Sequence, residues 1–174
     1  MAFPRWLPAA ALLALLVPAA PAADLPRKAP DLTIKMVDAK PITLSQYKGH
    51  VVVLAFILTS CSHCQHTVQV LSTLQKEYAP RGLQVVASAI EQDAQNHVRL
   101  FVRNFAPTFP VGYNTGAEAD AVIHPTGKLP MMPLLGFFDR QGVLRAQHEG
   151  EEPFFNDLEA SLRHEIDALL QAKR

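Results

Sequence analysis

Cysteine is almost missing from this 174-residue chain: it has two, Cys61 and Cys64. A disulfide-dense scaffold is thereby excluded, and a structural zinc site, which takes about four ligands, has no second cysteine pair to draw on. An excess of charge is missing too, with 16 basic against 16 acidic side chains. That balance argues against a nucleic-acid partner, which needs a basic surface to neutralise phosphates. No internal repeat and no low-complexity tract occurs beyond residue 23. The remaining chain, roughly 150 residues, suits one domain with one core.

Residues 1–23 differ from the rest. They hold one charged side chain, Arg5, then "LPAAALLALLVPAA" and "PAAD". This is the pattern of a secretory signal: a minimal positive start, an apolar stretch from Leu7 to Val17, and a small-x-small site at Ala20-Pro21-Ala22 with cleavage near Ala22 or Ala23. The alternative, a retained membrane anchor, is disfavoured by Pro8, Pro18 and Pro21 in a stretch barely long enough to span. No cysteine lies there to carry a lipid. The expected organisation is a signal at 1–23, a loose Pro-rich lead-in at 24–30 ("DLPRKAP"), and one folded domain at 31–174, exported to the periplasm or beyond.

Periodicity then sketches the domain. Leu32 to Met36 and Ile42 to Leu44 are short alternating stretches around Asp38-Ala39-Lys40-Pro41, a small hairpin. His50 to Leu58, "HVVVLAFIL", is apolar throughout, as in a central strand covered on both faces. It runs through Thr59 and Ser60 into Cys61. From Ser62 to Tyr78, Val68, Leu71, Leu74 and Tyr78 recur at helical spacing, and Pro80 and Gly82 end the element. The two cysteines therefore open a helix after a buried strand, Cys61 at the tip and Cys64 turned inward. "GLQVVASAI" reads as a second buried strand, and "EQDAQNHVRLFVRNF" as a helix with Val98, Phe101, Val102 and Phe105 on one face. "TFPVGYN" suits a short strand and "AEADAVI" a short helix. Leu134 to Phe138 and Val143 to His148 flank a Gly-containing turn, a second hairpin. A closing helix presents Phe155, Leu158, Leu162, Ile166 and Leu169. Alternating strands and helices imply an α/β fold with right-handed crossovers and a parallel sheet.

This order of elements, with a C-x-x-C at a strand-to-helix junction and a proline opening a late hairpin, resembles the thioredoxin-like superfamily. The nearest branch is the exported TlpA/ResA/CcmG-type thiol-disulfide oxidoreductases. The resemblance rests on "APDLTI", "ITLSQYKGHVVVLAFILTSCSHC", "TFPVGYN" and "MPLLGFFDRQGVL". It implies a three-layer α/β/α fold with a mixed central sheet and an N-terminal hairpin extension, a cis proline at Pro133, and no cofactor. The partners it implies are protein thiols or disulfides of exported clients and a membrane electron donor or acceptor. Three positions depart from the family pattern. Ser60 replaces a frequent tryptophan, Ala55 stands where thioredoxins proper bury an aspartate, and Thr67 stands where ResA-like members have a glutamate. No carboxylate is thus assigned to take the proton of Cys64.

Disulfide exchange needs one cysteine as thiolate. An anion at Cys61 is favoured by the helix N-terminus it occupies, by His63 when protonated, and by an S–H bond from Cys64. Cys61 is then the nucleophile and Cys64 the resolving thiol, with Ser62 and His63 tuning the pair. Met132 and Pro133 are expected to hold an extended client peptide, while Met131 reads as core filler. His63 resembles the histidine of oxidising family members, but the overall layout resembles reductants, which is the direction favoured. Other readings are weaker. Copper carriage would use both thiols and a distant histidine, His124, yet copper chaperones of this fold space their cysteines three apart. A peroxiredoxin-like peroxidase would want threonine where Leu58 stands. His66 cannot converge with both cysteines on zinc, and a structural bridge over so short a loop stabilises little. His50, His97, His148 and His164 read as surface or packing residues, and Glu91 and Asp93 as caps of the following helix.

Overall fold

The computed structural model describes residues 25–123 and 131–172. The leader, His124 and the last two residues lie outside them.

β4 (Val51–Ile57) is the centre of the molecule, and every residue in it is buried. The alternation of a strand explains why an unbroken apolar run is needed there. Val51, Val53, Ala55 and Ile57 pack against one group of helices, whereas Val52, Leu54 and Phe56 pack on the opposite side. The strands around it are β1 (Arg27–Lys28), β5 (Leu83–Ala89), β6 (Val111–Tyr113), β7 (Leu134–Phe138) and β8 (Val143–Glu149). Together they form a six-stranded sheet in the order β1-β8-β7-β4-β5-β6. β4, β5 and β6 are parallel; β7 runs antiparallel to β4, and β8 antiparallel to β7, making the sheet mixed. β2 (Thr33–Ile34) and β3 (Ile42–Thr43) form the separate N-terminal hairpin.

α1 (Ser62–Tyr78), α2 (Ala94–Phe105) and α4 (Leu158–Gln171) contribute to the core on one face of the sheet. α3 (Gly116–Val122) and Leu32 and Ile34 of the N-terminal segment close the other. This is the three-layer α/β/α arrangement the resemblance implied. The helix beginning at Ser62 stops at Tyr78, where a 3-10 turn over Ala79–Arg81 takes over and leads to Gly82 in the left-handed region, φ 96°.

Three expectations need correction. Arg27–Lys28, read as part of a loose lead-in, are an edge strand: they pair with Leu144 and Val143, and Arg27 Nη2 donates to the Val122 carbonyl at 2.6 Å. The outer edge of β8 has backbone groups to satisfy, and a short charged strand does so without offering a new sticky edge. Val102 does not share the buried face of α2. It is 38% exposed, while Ala94, Val98 and Phe101 are buried and the Phe105 ring packs tilted against Phe101 with centroids 4.8 Å apart. One residue turns a helix by about 100°, so Val102 cannot lie beside Phe101 in the core. Met131 is no core filler, being 47% exposed.

Candidate active site

Register brings the site together. Ile57, the last residue of β4, pairs with Ala89, and Phe56 pairs with Leu134. The chain therefore leaves β4 towards Cys61, leaves β5 towards Glu91, and enters β7 from Pro133, all at one end of the sheet. Such an end, where parallel strands finish, is where α/β folds build sites.

Cys61 is the N-cap residue of α1, in extended conformation, and its sulfur accepts the Cys64 backbone N–H at 3.4 Å. It is half-buried; Cys64 is fully buried beneath it, and both are free thiols. The helix N-terminus thus directs the Cys64 N–H at the outer sulfur. The Cys64 thiol is pushed well above its ordinary value, first by burial. The Leu58 backbone N–H opposes that shift, and the Cys61 sulfur and the Glu91 charge add to it. One sulfur is presented and the other withheld.

The turn carrying Cys61 is braced by several bonds. Cys61 N–H donates to the Leu58 carbonyl at 3.1 Å, and Gln65 Nε2 donates to the Thr59 carbonyl at 2.9 Å. Thr59 donates both its N–H, at 3.0 Å, and its hydroxyl to Glu91 Oε1. Ser62 and His63 are exposed on the first turn, and the His63 carbonyl accepts the Thr67 hydroxyl at 2.9 Å. Thr67, in place of the family's glutamate, is a buried hydroxyl satisfied by its own helix; Ala55 is sealed between Ala87 and Leu135.

On the other side of the sheet end, the Met132–Pro133 bond is cis, as the resemblance implied. Pro133 is buried and Met132 half-buried, packed against both core clusters. The Gly150 N–H ties the Met131 carbonyl at 2.7 Å. A Cβ at Gly150 would stand 2.5 Å from the Met132 carbonyl oxygen. Only glycine lets β8's end lie this close beneath the loop.

Glu91 and Asp93 do not cap α2 as expected. Asp93 occupies the N-cap position with φ 55° and no side-chain capping bond, while Glu91 turns back to the cysteine loop. A polar residue just past a parallel strand, at the end where the cysteines sit, was the available signal for Glu91. Of the histidines, His50, His66 and His164 are exposed. His97 Nδ1 lies 3.7 Å from Glu91 Oε1, and His148 stacks on Phe154 at 3.9 Å. Among the described residues no group of three or more His, Cys, Asp or Glu side chains gathers to hold a metal. His124, the distant ligand of the copper reading, lies outside them.

A mixed sheet between helix layers, with two cysteines at the mouth of α1 and a cis proline opening β7, defines the thioredoxin-like thiol-disulfide oxidoreductases of TlpA/ResA/CcmG type. The chain belongs to the Redoxin family, whose profile matches residues 26–162. It is similar to the thioredoxin-like protein YneN of Bacillus subtilis, 30% identical over 131 residues covering 71% of each chain. It is 28% identical over 130 residues to the thiol-disulfide oxidoreductase ResA of Bacillus thuringiensis subsp. konkukian, covering 74% of this chain and 72% of the relative. The crystal structure of a thiol:disulfide interchange protein described as DsbE, from Chlorobium tepidum, superposes with a TM-score of 0.71 at 27% identity. It covers 84% of this chain and 98% of that one.

Proposed function

We propose that this thiol-disulfide oxidoreductase works on exported protein clients through Cys61 and Cys64, in the reducing direction. The observation that carries the assignment is the pairing of a half-exposed N-cap sulfur with a fully buried one a turn later. Cys61, as thiolate, attacks one sulfur of a client disulfide; that S–S bond breaks, the other client sulfur leaves as thiolate, and a mixed disulfide forms. Cys64 then gives up its proton and attacks the Cys61 sulfur. The second client sulfur leaves, and two electrons have passed to the client as Cys61 and Cys64 join. The high proton affinity of Cys64 keeps it idle until Cys61 is occupied. His63, exposed beside the pair, adds a positive charge when protonated.

The client lies extended along Met132 and Pro133, where a proline leaves neighbouring backbone groups free for an added strand. Export rests on the composition of residues 1–23, and a membrane electron donor would then restore the dithiol. Among the described residues no helix is long and apolar enough to cross a membrane.

The test is a pair of serine variants with a disulfide-containing peptide. Cys61→Ser abolishes reduction. Cys64→Ser accumulates a stable mixed disulfide at Cys61, visible by mass spectrometry. Turnover surviving Cys61→Ser defeats the assignment. The reduction potential decides direction: a value nearer thioredoxin's, about −270 mV, supports a reductant, and one near about −120 mV makes the protein an oxidant.

A further inference from the structure

The family pattern leaves this chain without a carboxylate at either expected position, yet the fold delivers one from another strand. Glu91 follows β5, and Ile90 N–H donates to the Ile57 carbonyl at 3.1 Å, so the two strand ends are locked side by side. From there the carboxylate reaches the turn between β4 and α1. Its Oε1 accepts the Thr59 N–H and hydroxyl, two residues before Cys61. The side chain is 19% exposed, and Oε2 is buried with no hydrogen-bond partner among the described residues. A half-satisfied buried carboxylate costs stability, and such a group in a site is retained for what its charge does there.

We propose that Glu91 is a positioning residue for disulfide exchange: it clamps the Thr59 turn that presents Cys61 and sets a fixed negative charge beside the cysteine pair. This rests on Cys61 and Cys64 being the exchanging pair. A carboxylate next to a dithiol opposes thiolate, and thiolate stabilisation is what favours the reduced form and makes a couple oxidising. Glu91 therefore holds the couple towards the reducing end of its range. The same charge is among the influences that raise the proton affinity of Cys64. The titratable groups around Glu91 are Cys64 from α1 and His97 from α2, and Thr59 supplies the clamp.

Three variants of the full chain separate charge from clamp. Glu91→Gln keeps an oxygen for Thr59 and removes the charge; Glu91→Ala removes both; Thr59→Val loses the hydroxyl contact alone. Each is equilibrated with glutathione buffers, and Cys64 alkylation is measured against pH by mass spectrometry. Glu91→Gln is expected to shift the equilibrium about tenfold towards the dithiol, about 30 mV, and to bring Cys64 alkylation to lower pH. Thr59→Val leaves both near wild type but slows attack on a disulfide peptide several-fold, and Glu91→Ala combines the two effects. Wild-type potential and alkylation profile in both Glu91 variants overturn the proposal. A wild-type chain that equilibrates normally but reduces no peptide leaves these readouts intact and counts against the client reading instead. A pair that never oxidises to a disulfide defeats both.

Discussion

Replacing Gly150 with alanine tests whether the loop carrying Met132 and Pro133 is set by what lies beneath it. The added Cβ would stand 2.5 Å from the Met132 carbonyl oxygen, 2.8 Å from its carbonyl carbon and 3.1 Å from the Met131 oxygen. All three are backbone atoms, so no side chain can swing away. Relieving the shortest contact to an ordinary carbon–oxygen distance of about 3.3 Å moves the loop or the end of β8 by about 0.8 Å. Overpacking of this kind costs about 1–3 kcal/mol, a fall in Tm of roughly 3–10 °C for a domain this size. Because a misplacement near 1 Å costs about a hundredfold where geometry is catalytic, kcat/KM for a peptide disulfide should fall about tenfold or more. A small soluble disulfide that makes no strand contact should be affected less. Gly142→Ala is the control: φ is 78° there but nothing lies within 4 Å, so it destabilises without pressing on the site. If Gly150→Ala reduces peptide and small disulfides at wild-type rates, the loop does not hold the client.

Gln75 is buried on α1, donating to the Leu83 carbonyl at 3.2 Å and accepting from the Val85 N–H. Ala87 N–H bonds to Pro110, so these groups point towards β6, which ends before reaching them, and the amide completes the ladder. Gln75→Leu leaves a buried donor and acceptor unpaired and should lower urea stability by about 2–4 kcal/mol at unchanged m. The raised proton affinity of Cys64 gives the reduced protein a contribution present below the ordinary thiol value, 9.0, and lost as pH climbs above it. Unfolding midpoints of the dithiol form should therefore fall more steeply above pH 9 than those of the disulfide form; parallel curves would contradict this. Glu118 runs the opposite way. Backbone and side-chain bonds from Thr115, with Lys35, hold it down at about 2, so its contribution is full above 4.5 and fades as pH drops through 2. Glu118→Gln should flatten the acid limb of the stability curve, as urea titrations between pH 2 and 5 would show.

The sequence by itself determined which residues form the central strand and the helix that begins at Ser62, and that Cys61 and Cys64 open that helix. Apolar runs and helical spacing are local signals, and they survive folding because burying β4 on both faces and one stripe of α1 admits few alternatives. The Leu134–Phe138 hairpin was legible for the same reason, its turn declared by Asp139 and Gly142. Tertiary structure alone decided the company the sulfurs keep. Glu91 and Thr59 are 32 residues apart, and no periodicity links them; they meet because the parallel register sets Ala89 beside Ile57. Gln75 reads as one more polar helix position until the short β6 leaves part of β5 unpaired, and Gly150 gains its meaning only from the carbonyl above it. Elements are written in neighbouring side chains, whereas a site is made where strands far apart in the chain end together.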